Sequence, residues 1–299
     1  MSNLDVLLVA PQFALQLLID GMLFGAIFAL AAYGMALVWG VMNIINITQG
    51  EFVMLGGFVT VVLAKAGLPA LLSIPVSAAF LFAVGWAIYR LAIYRIVDRD
   101  LFISLLATFG ISIFLQQLMN QTFGADPESI ETGLGTLVLL GGDITVAWIK
   151  LVSFAVTLAT AVGLYLFLRH SRTGQAIRAT AQNARAARIM GIDTDRVYAF
   201  SYALNAAICG VAGSLVAMTW VIQAFNGLAY TVRSFMIVII AGLGNLPGVI
   251  AAALGLGTAE TFVDFLIGSE YRLAFVFSLL VVILVVRGQL LARRRQVLK

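Results

Sequence analysis

Between residues 13 and 286 the chain is a succession of apolar runs, several near 20 residues long and joined by short connections, and few folds accommodate that pattern. Spanning hydrocarbon takes about 20 residues as a helix, because in lipid every backbone polar group must find its partner within the protein. A membrane β-barrel would show alternating segments of about ten residues instead. Composition agrees with helices in lipid. Of 299 residues, 62% are hydrophobic and only 11% are charged, and the mean hydropathy of +1.05 lies outside what a water-solvated surface permits. The predicted fold is an all-α polytopic membrane protein with one transmembrane domain over residues 1–299.

Charge sets the predicted sidedness. Residues 169–196 are the longest polar stretch and carry six arginines (Arg169, Arg172, Arg178, Arg185, Arg188 and Arg196) against Asp193 and Asp195. The runs on either side, 149–168 and 197–221, carry almost no charge. Positive loops stay on the cytoplasmic side, so this loop is predicted to lie there, and the side of every other loop follows. Arg90, Arg95 and Arg99 put the end of the 70–93 run inside, and Arg287, Arg293, Arg294, Arg295 and Lys299 do the same for the C-terminus. The loop at 123–148 has Asp126, Glu128, Glu131 and Asp143 with no Lys or Arg, and is predicted to be external. Residues 1–12, with Asp5 and no Lys or Arg, are predicted to lie outside. Residues 1–18 lack the basic n-region of a cleavable signal and lead directly into a longer span.

Two stretches interrupt the runs. MNIINITQGEF at 42–52 is polar but uncharged, and the run that follows, 52–64, is about 13 residues long, too short to span at 1.5 Å per residue. The prediction is that 43–51 itself lies at membrane depth as a broken helix. Glu51 is then either a functional group within the bilayer or a residue at the cytoplasmic interface that favours the positive end of the next helix. The second interruption, GLGNLPG at 242–248, cuts the run at 233–267. Proline lacks the donor that a helix interior needs, and glycines loosen the backbone, so a hairpin or re-entrant pair with both ends outside is predicted. With runs at 13–39, 52–64, 70–93, 101–119, 149–168, 197–221 and 273–286, seven crossings plus this pair are expected, within a range of eight to ten segments.

Transporters build solute pathways from such broken segments, one in each half of the chain. The candidates to line a polar route are Asn43, Asn46, Gln49 and Glu51 in the first, and Gly242, Gly244, Asn245 and Pro247 in the second. Glu260 and Asp264, four apart on one helical face, either face that route or pair with Arg233 or Arg272. Gly21, Gly25 and Gly34 read as close-packing positions, Cys209 as a small packing residue and His170 as an interfacial one. There is no G-x-x-x-x-G-K-[ST] phosphate loop and no H-E-x-x-H. An enzyme reading is therefore weak, and no nucleic-acid partner is expected, because the basic residues sit where membrane topology puts them.

The basic loop has internal structure. Asn183 is a good N-cap and Gly191 a good helix stop, which predicts a two-turn helix over 184–190. The helical stretch before it puts Ile177, Ala181 and Ala184 on one stripe and Arg178 and Arg185, seven apart, on another, and Thr194 or Asp195 then caps the next span. A short capped helix with small side chains, held between two spans, fits a socket on another protein.

Five stretches carry a resemblance in chain order: INITQGEFVMLGGF (45–58), SLLATFGISIFLQQ (104–117), SRTGQAIRATAQNARAARIMGIDTDRVYAFSY (171–202), AGLGNLPGVIAAALGLGTAE (241–260) and SEYRLAFVFSLL (269–280). On these residues the chain resembles the inner-membrane permeases of branched-chain amino acid ABC transporters, LivH type. The resemblance implies a multi-pass permease of the bacterial inner membrane that pairs with a second homologous permease and receives solute from a periplasmic binding protein. It also implies two cytoplasmic ATP-binding cassette subunits, which would bind ATP and Mg, so that this chain needs no cofactor or metal. In that family the ATPase docks on the loop matching 171–196, which nominates Arg178, Asn183, Arg185, Ala187, Gly191 and Ile192 as contacts. Thr48 and Gln49 stand where Ala-His is usual, Ala241 and Asn245 where Gly and Ser are common, and the C-terminal VRGQLLAR lacks the usual Pro-x-Gly-Leu. Relatives of this type also carry urea, short amides or aromatic acids, so the solute stays open. Two other readings of the residues are an ion-driven transporter, with Glu51 or Asp264 as its proton-linked group, and a purely structural membrane subunit.

Overall fold

The computed structural model describes residues 10–97, 99–139, 144–242 and 244–297. Asp5, Asp143 and Lys299, used above for topology, lie outside the described residues, as do the side chains of Arg287, Arg293, Arg294 and Arg295. The membrane helices are α1 (Pro11–Met42), α2 (Gln49–Lys65), α3 (Ala70–Leu91), α4 (Leu101–Phe123) and α5 (Trp148–His170). After two short helices in the basic loop, α6 (Arg172–Gln182) and α7 (Ala184–Ile189), come α8 (Thr194–Thr219), α9 (Gly227–Ala241), α10 (Leu246–Leu266) and α11 (Arg272–Val297). Among the described residues seven helices are long and apolar enough to cross a membrane: α1, α3, α4, α5, α8, α10 and α11.

The set of long helices differs in two respects from the predicted crossings: α2, which covers the 52–64 run, is not among them, and α10 is. The second arm of the expected re-entrant pair, α10, is a 21-residue helix of spanning length. The short members are α2, with 17 residues, and α9, with 15. Both begin inside the bundle and against each other. A Cβ on Gly50 would lie 1.7 Å from the carbonyl oxygen of Gly227, so the two helix starts touch backbone to backbone.

α1 and α8 form the buried centre, and the peripheral helices each bury a single stripe. On α4 that stripe is Ser104, Thr108, Ser112, Leu115 and Met119, and on α5 it includes Ser153 and Thr157. Phe102, Phe109 and Phe114 face outward from α4. Lipid tails are as apolar as leucine, so small and hydroxylated residues, not large apolar ones, mark the faces that meet protein. α1 and α10 also approach closely, and a Cβ on Gly25 would meet the Ala253 carbonyl oxygen at 2.3 Å.

The fold is the expected all-α one, with one small two-stranded element in the acidic loop. Within it β1 (Thr136–Leu139) pairs antiparallel with β2 (Ile144–Ala147), Thr136 opposite Ala147 and Leu139 opposite Ile144. The Gln16 side-chain amide on α1 donates to the Thr145 carbonyl (2.8 Å) and accepts from its N–H (3.0 Å), in effect serving as one residue of a third strand. The ends of α1, α3 and α5 and the starts of α4 and α8 gather at one, arginine-rich end of the bundle. The acidic loop lies at the other, tied down by a Lys65–Glu128 ion pair at 2.6 Å and by backbone pairing of Glu128 with Ile222.

Candidate functional site

The segment between α1 and α2 is non-helical and deep in the bundle. Asn43 ends α1 in a left-handed conformation (φ 51°), its N–H donating to the Trp39 carbonyl at 3.0 Å. The chain then turns back, and Gln49 Nε2 donates to the Ala31 carbonyl at 2.6 Å, about three turns below the end of α1. An unwound backbone at this depth survives only if protein groups satisfy it, and hydroxyls from two other helices do so. Thr108 of α4 accepts from the Ile47 N–H (3.2 Å) and donates to the Ile45 carbonyl (2.9 Å). Thr231 of α9 accepts from the Gly50 N–H (2.8 Å) and donates to the Ile47 carbonyl (3.0 Å). Asn46, Thr48 and Tyr202 of α8 form a buried cluster: Thr48 Oγ1 donates to Asn46 Oδ1, and so does the Tyr202 hydroxyl, at 3.3 Å. Gln49 also donates to Cys209 Sγ at 3.0 Å.

Glu51 sits in the first turn of α2 and is 1% exposed. Its Oε1 accepts from Ser112 Oγ of α4 at 3.2 Å, and the carboxylate lies over Gly227, where α9 begins. Two helix N-termini therefore face it, which favours negative charge there. Of the two readings of Glu51, the structure takes features from both: it opens a helix, and it does so inside the bundle.

The second broken segment forms a turn. Gly242 (φ 84°) ends α9 and Gly244 (φ 81°) continues the reversal; Leu243 lies outside the described residues. Asn245 clasps both helices, its Oδ1 accepting from the Gly248 N–H (3.1 Å) and its Nδ2 donating to the Ala241 carbonyl (3.2 Å). Pro247 lies in the first turn of α10, where a missing donor is harmless. The two broken segments meet at a cavity of about 710 Å³ at the arginine-rich end, lined by Asn43 and Gly244 together with Trp39, Arg169 and Arg178. Asn46, Gln49, Glu51, Gly242, Asn245 and Pro247 do not line it.

The basic loop folds as two capped helices. Ser171 caps α6, accepting from the Gly174 N–H (2.8 Å), and Asn183 caps α7, accepting from the Ala186 N–H (2.9 Å). Gly191 (φ 85°) closes α7, and the Ile192 N–H returns to the Ala187 carbonyl at 3.0 Å. The cap of α8 is Asp193, whose carboxylate accepts from the Arg196 N–H at 3.1 Å, and not Thr194 or Asp195. Thr194 is buried and engaged with Arg188 instead, and Asp195 lies within the first turn. Ala187 is buried and Ile192 is partly buried against the core, so both help to anchor the knob. Arg178 belongs to the cavity wall; Asn183 and Arg185 are exposed. Two apolar side chains of the knob are strongly exposed: Ile189 at 79% and Met190 at 82%.

The membrane acids are paired. Arg233 of α9 holds Glu260 of α10 through two nitrogens, Nε–Oε1 at 2.9 Å and Nη2–Oε2 at 3.0 Å, with its guanidinium 5.0 Å from the Phe28 ring. Arg272 pairs with Asp264. Of the two alternatives for these carboxylates, pairing is the one observed.

The sequence profile of the family described as "Branched-chain amino acid transport system / permease component" matches residues 17–286. The chain belongs to this permease family. It is 30% identical to the high-affinity branched-chain amino acid transport system permease protein LivH of Salmonella typhimurium, over 91% of this chain and 93% of that one. It is 29% identical to BraD of Pseudomonas aeruginosa, a protein of the same description, over 91% and 94%. The galactofuranose transporter permease protein YtfT of Escherichia coli is 28% identical over 70% of this chain and 61% of its own length. No solved structure matches at a significant level. The protein is thus a multi-pass membrane permease component of an ABC importer, a family whose members work with ATPase and binding-protein partners.

In this permease the side chains missed by sequence reasoning are Thr108, Thr231 and Tyr202, which hold the broken segment, and Ile189 and Met190 at the knob's tip. A signal for the first existed in the four-residue spacing of Ser104, Thr108 and Ser112, which marks an inward stripe on a membrane helix.

Proposed function

We propose that this permease moves branched-chain or related amino acids across the bacterial inner membrane into the cytoplasm, with ATP and Mg bound by two separate cassette subunits docked on its basic loop. The arginine-rich end faces the cytoplasm, with the N-terminus outside and the C-terminus inside. A second homologous permease completes the path, and a periplasmic binding protein delivers solute to the acidic end. The observation that carries this reading is α7: a doubly stopped helix, anchored through Ala187 and Ile192, that projects Arg185, Ile189 and Met190 between two membrane helices. Such a knob transmits force because its anchors are packed while its tip is free. Asn43, Asn46, Gln49 and Glu51 of the first broken segment and Gly242, Gly244, Asn245 and Pro247 of the second are the residues assigned to the solute route. The names of the relatives above favour branched-chain amino acids; urea, short amides or aromatic acids are the alternatives.

The test is uptake of labelled leucine, urea and benzoate by the reconstituted complex. ATP-dependent leucine uptake is expected, and uptake of urea or benzoate alone would overturn the substrate assignment. A second reading, ion-coupled transport, draws on the buried Glu51, whose Oε2 has no hydrogen-bond partner among the described residues. Uptake that collapses with an uncoupler while ATP is maintained would favour it over ATP coupling.

A further inference from the structure

Besides Asn43 and Gly244, the cavity at the arginine-rich end has an apolar wall and two arginines that a route for amino acids does not call for. One wall is apolar, built from Leu37 and Val41 near the end of α1, Leu168 near the end of α5 and Leu246 at the start of α10. Its rim carries Arg169 and Arg178, and aromatic side chains, Trp39 and Tyr165, line the same space. The guanidiniums are held in place. Arg169 Nη1 donates to the Tyr165 hydroxyl at 2.9 Å, with its guanidinium 5.9 Å from that ring, and Arg178 Nη2 donates to the Arg169 carbonyl at 3.4 Å. Among the described residues neither arginine has a carboxylate within ion-pair distance; both are exposed, and Arg172 and Arg185 are likewise in none of the ion pairs.

Two neighbouring positive charges on the rim of an apolar wall match a ligand that is anionic at one end and apolar along its length. Depth narrows the choice further. The cavity lies at the last turns of α1 and α5, where membrane helices meet the headgroup layer and where Trp, Tyr and Arg concentrate. Basic pockets between membrane helices at this level bind anionic headgroups. The volume of about 710 Å³ is of the size that holds a small molecule or a lipid fragment. We propose that this cavity is a binding site for an anionic phospholipid, with the phosphate on Arg169 and Arg178 and an acyl chain along Leu37, Val41, Leu168 and Leu246. Because α6 forms one side of the cavity, the bound lipid would brace the helix that leads into α7. The proposal stands on the cavity alone and does not depend on which solute is carried.

The test is native mass spectrometry of the full-length permease, purified in mild detergent and titrated with phosphatidylglycerol or phosphatidylcholine of the same acyl chains. Tighter retention of phosphatidylglycerol is expected. A basic residue near the headgroup layer contributes about fivefold in affinity, so the double change Arg169→Gln with Arg178→Gln is expected to weaken it by about 25-fold. Arg169→Lys with Arg178→Lys keeps the charge and is expected to retain most of the preference, which separates lost charge from lost fold. Ala181→Trp, which fills the cavity from α6, is expected to expel the lipid with both arginines in place, and Arg185→Gln, away from the cavity, to leave retention unchanged. Equal retention of the two lipids, or unchanged retention in the double Gln variant, would overturn the proposal. So would displacement by free glycerol phosphate at equal concentration, since the acyl chain would then contribute nothing.

Discussion

Replacing Thr231 by valine keeps the shape of the side chain and removes the hydroxyl that closes the broken segment to α9. That hydroxyl accepts from the Gly50 N–H at 2.8 Å and donates to the Ile47 carbonyl at 3.0 Å. Gly50 is buried, so the freed N–H has no water to turn to. A backbone group left unsatisfied in a soluble interior costs about 1–3 kcal/mol. Inter-helix hydrogen bonds in membranes measure lower, about 0.6 kcal/mol on average and about 1.7 at most. Two such bonds put the expected loss for Thr231→Val at about 1–3 kcal/mol. Thr108→Val removes the matching pair on the α4 side, and the double variant should depart from additivity because both residues hold the same six-residue strip. The assay is reversible unfolding in mixed micelles against increasing denaturing detergent. Thr231→Ser, which keeps the oxygen, should stay close to wild type. So should Thr261→Val, whose hydroxyl bonds only within its own helix, to the Gly257 carbonyl at 2.9 Å. If Thr231→Val unfolds within about 0.5 kcal/mol of wild type, or if Thr231→Ser is equally damaging, the hydroxyl does not hold the break and the reasoning fails.

Three further changes follow from other contacts. Glu260→Gln leaves the Arg233 charge buried without its partner and should destabilise the permease by about 3–5 kcal/mol in the same assay, whereas Arg233→Met with Glu260→Leu should recover most of that loss; a double variant no better than the single one would contradict this. Gly257→Val drives a side chain into the Gly21 carbonyl oxygen, 2.4 Å from where its Cβ would lie, so α1 and α10 should separate, with folded protein lost in size-exclusion profiles; a normal profile would show that the contact is not as tight as drawn. Gly191→Val imposes a β-branched residue on a φ of 85° at a local strain of about 1–3 kcal/mol. It is expected to leave membrane insertion intact while lowering uptake per ATP hydrolysed, and an unchanged ratio would remove Gly191 from the coupling element.

The helices and both interruptions were legible because lipid imposes a length rule. A run of the size of 52–64 could not cross alone, so residues 43–51 had to be at depth, and Gln49 bonded to the Ala31 carbonyl is the outcome. What holds the break was not legible. Thr231 and Thr108 lie far away in the chain, and nothing near them distinguishes a hydroxyl that rescues a distant backbone from one that bonds its own helix. The β-hairpin was hidden by its brevity, since two four-residue strands carry too little alternation to stand out in an acidic loop. At α8, Asp193, Thr194 and Asp195 are all competent caps in sequence, and only the burial of Thr194 beside Arg188 decides for Asp193. In the knob, the caps at Asn183 and Gly191 were readable from local rules, but its tip was not. Ile189 and Met190 resemble core residues by type, and only the fold shows that Ala187 and Ile192 take the inward positions.

The central claim, that energy enters this permease through α7, is tested most directly by isolating the chain from its native membrane with Ile189→Asp and Met190→Asp introduced together, and measuring which ATPase subunits accompany it. Both side chains are exposed, so the fold should survive the change. The account predicts that wild type brings two ATP-binding subunits with it and takes up leucine only with ATP, and that the double variant, inserted and folded, loses both the subunits and the uptake. ATPase subunits that remain bound to the double variant with full uptake would contradict it.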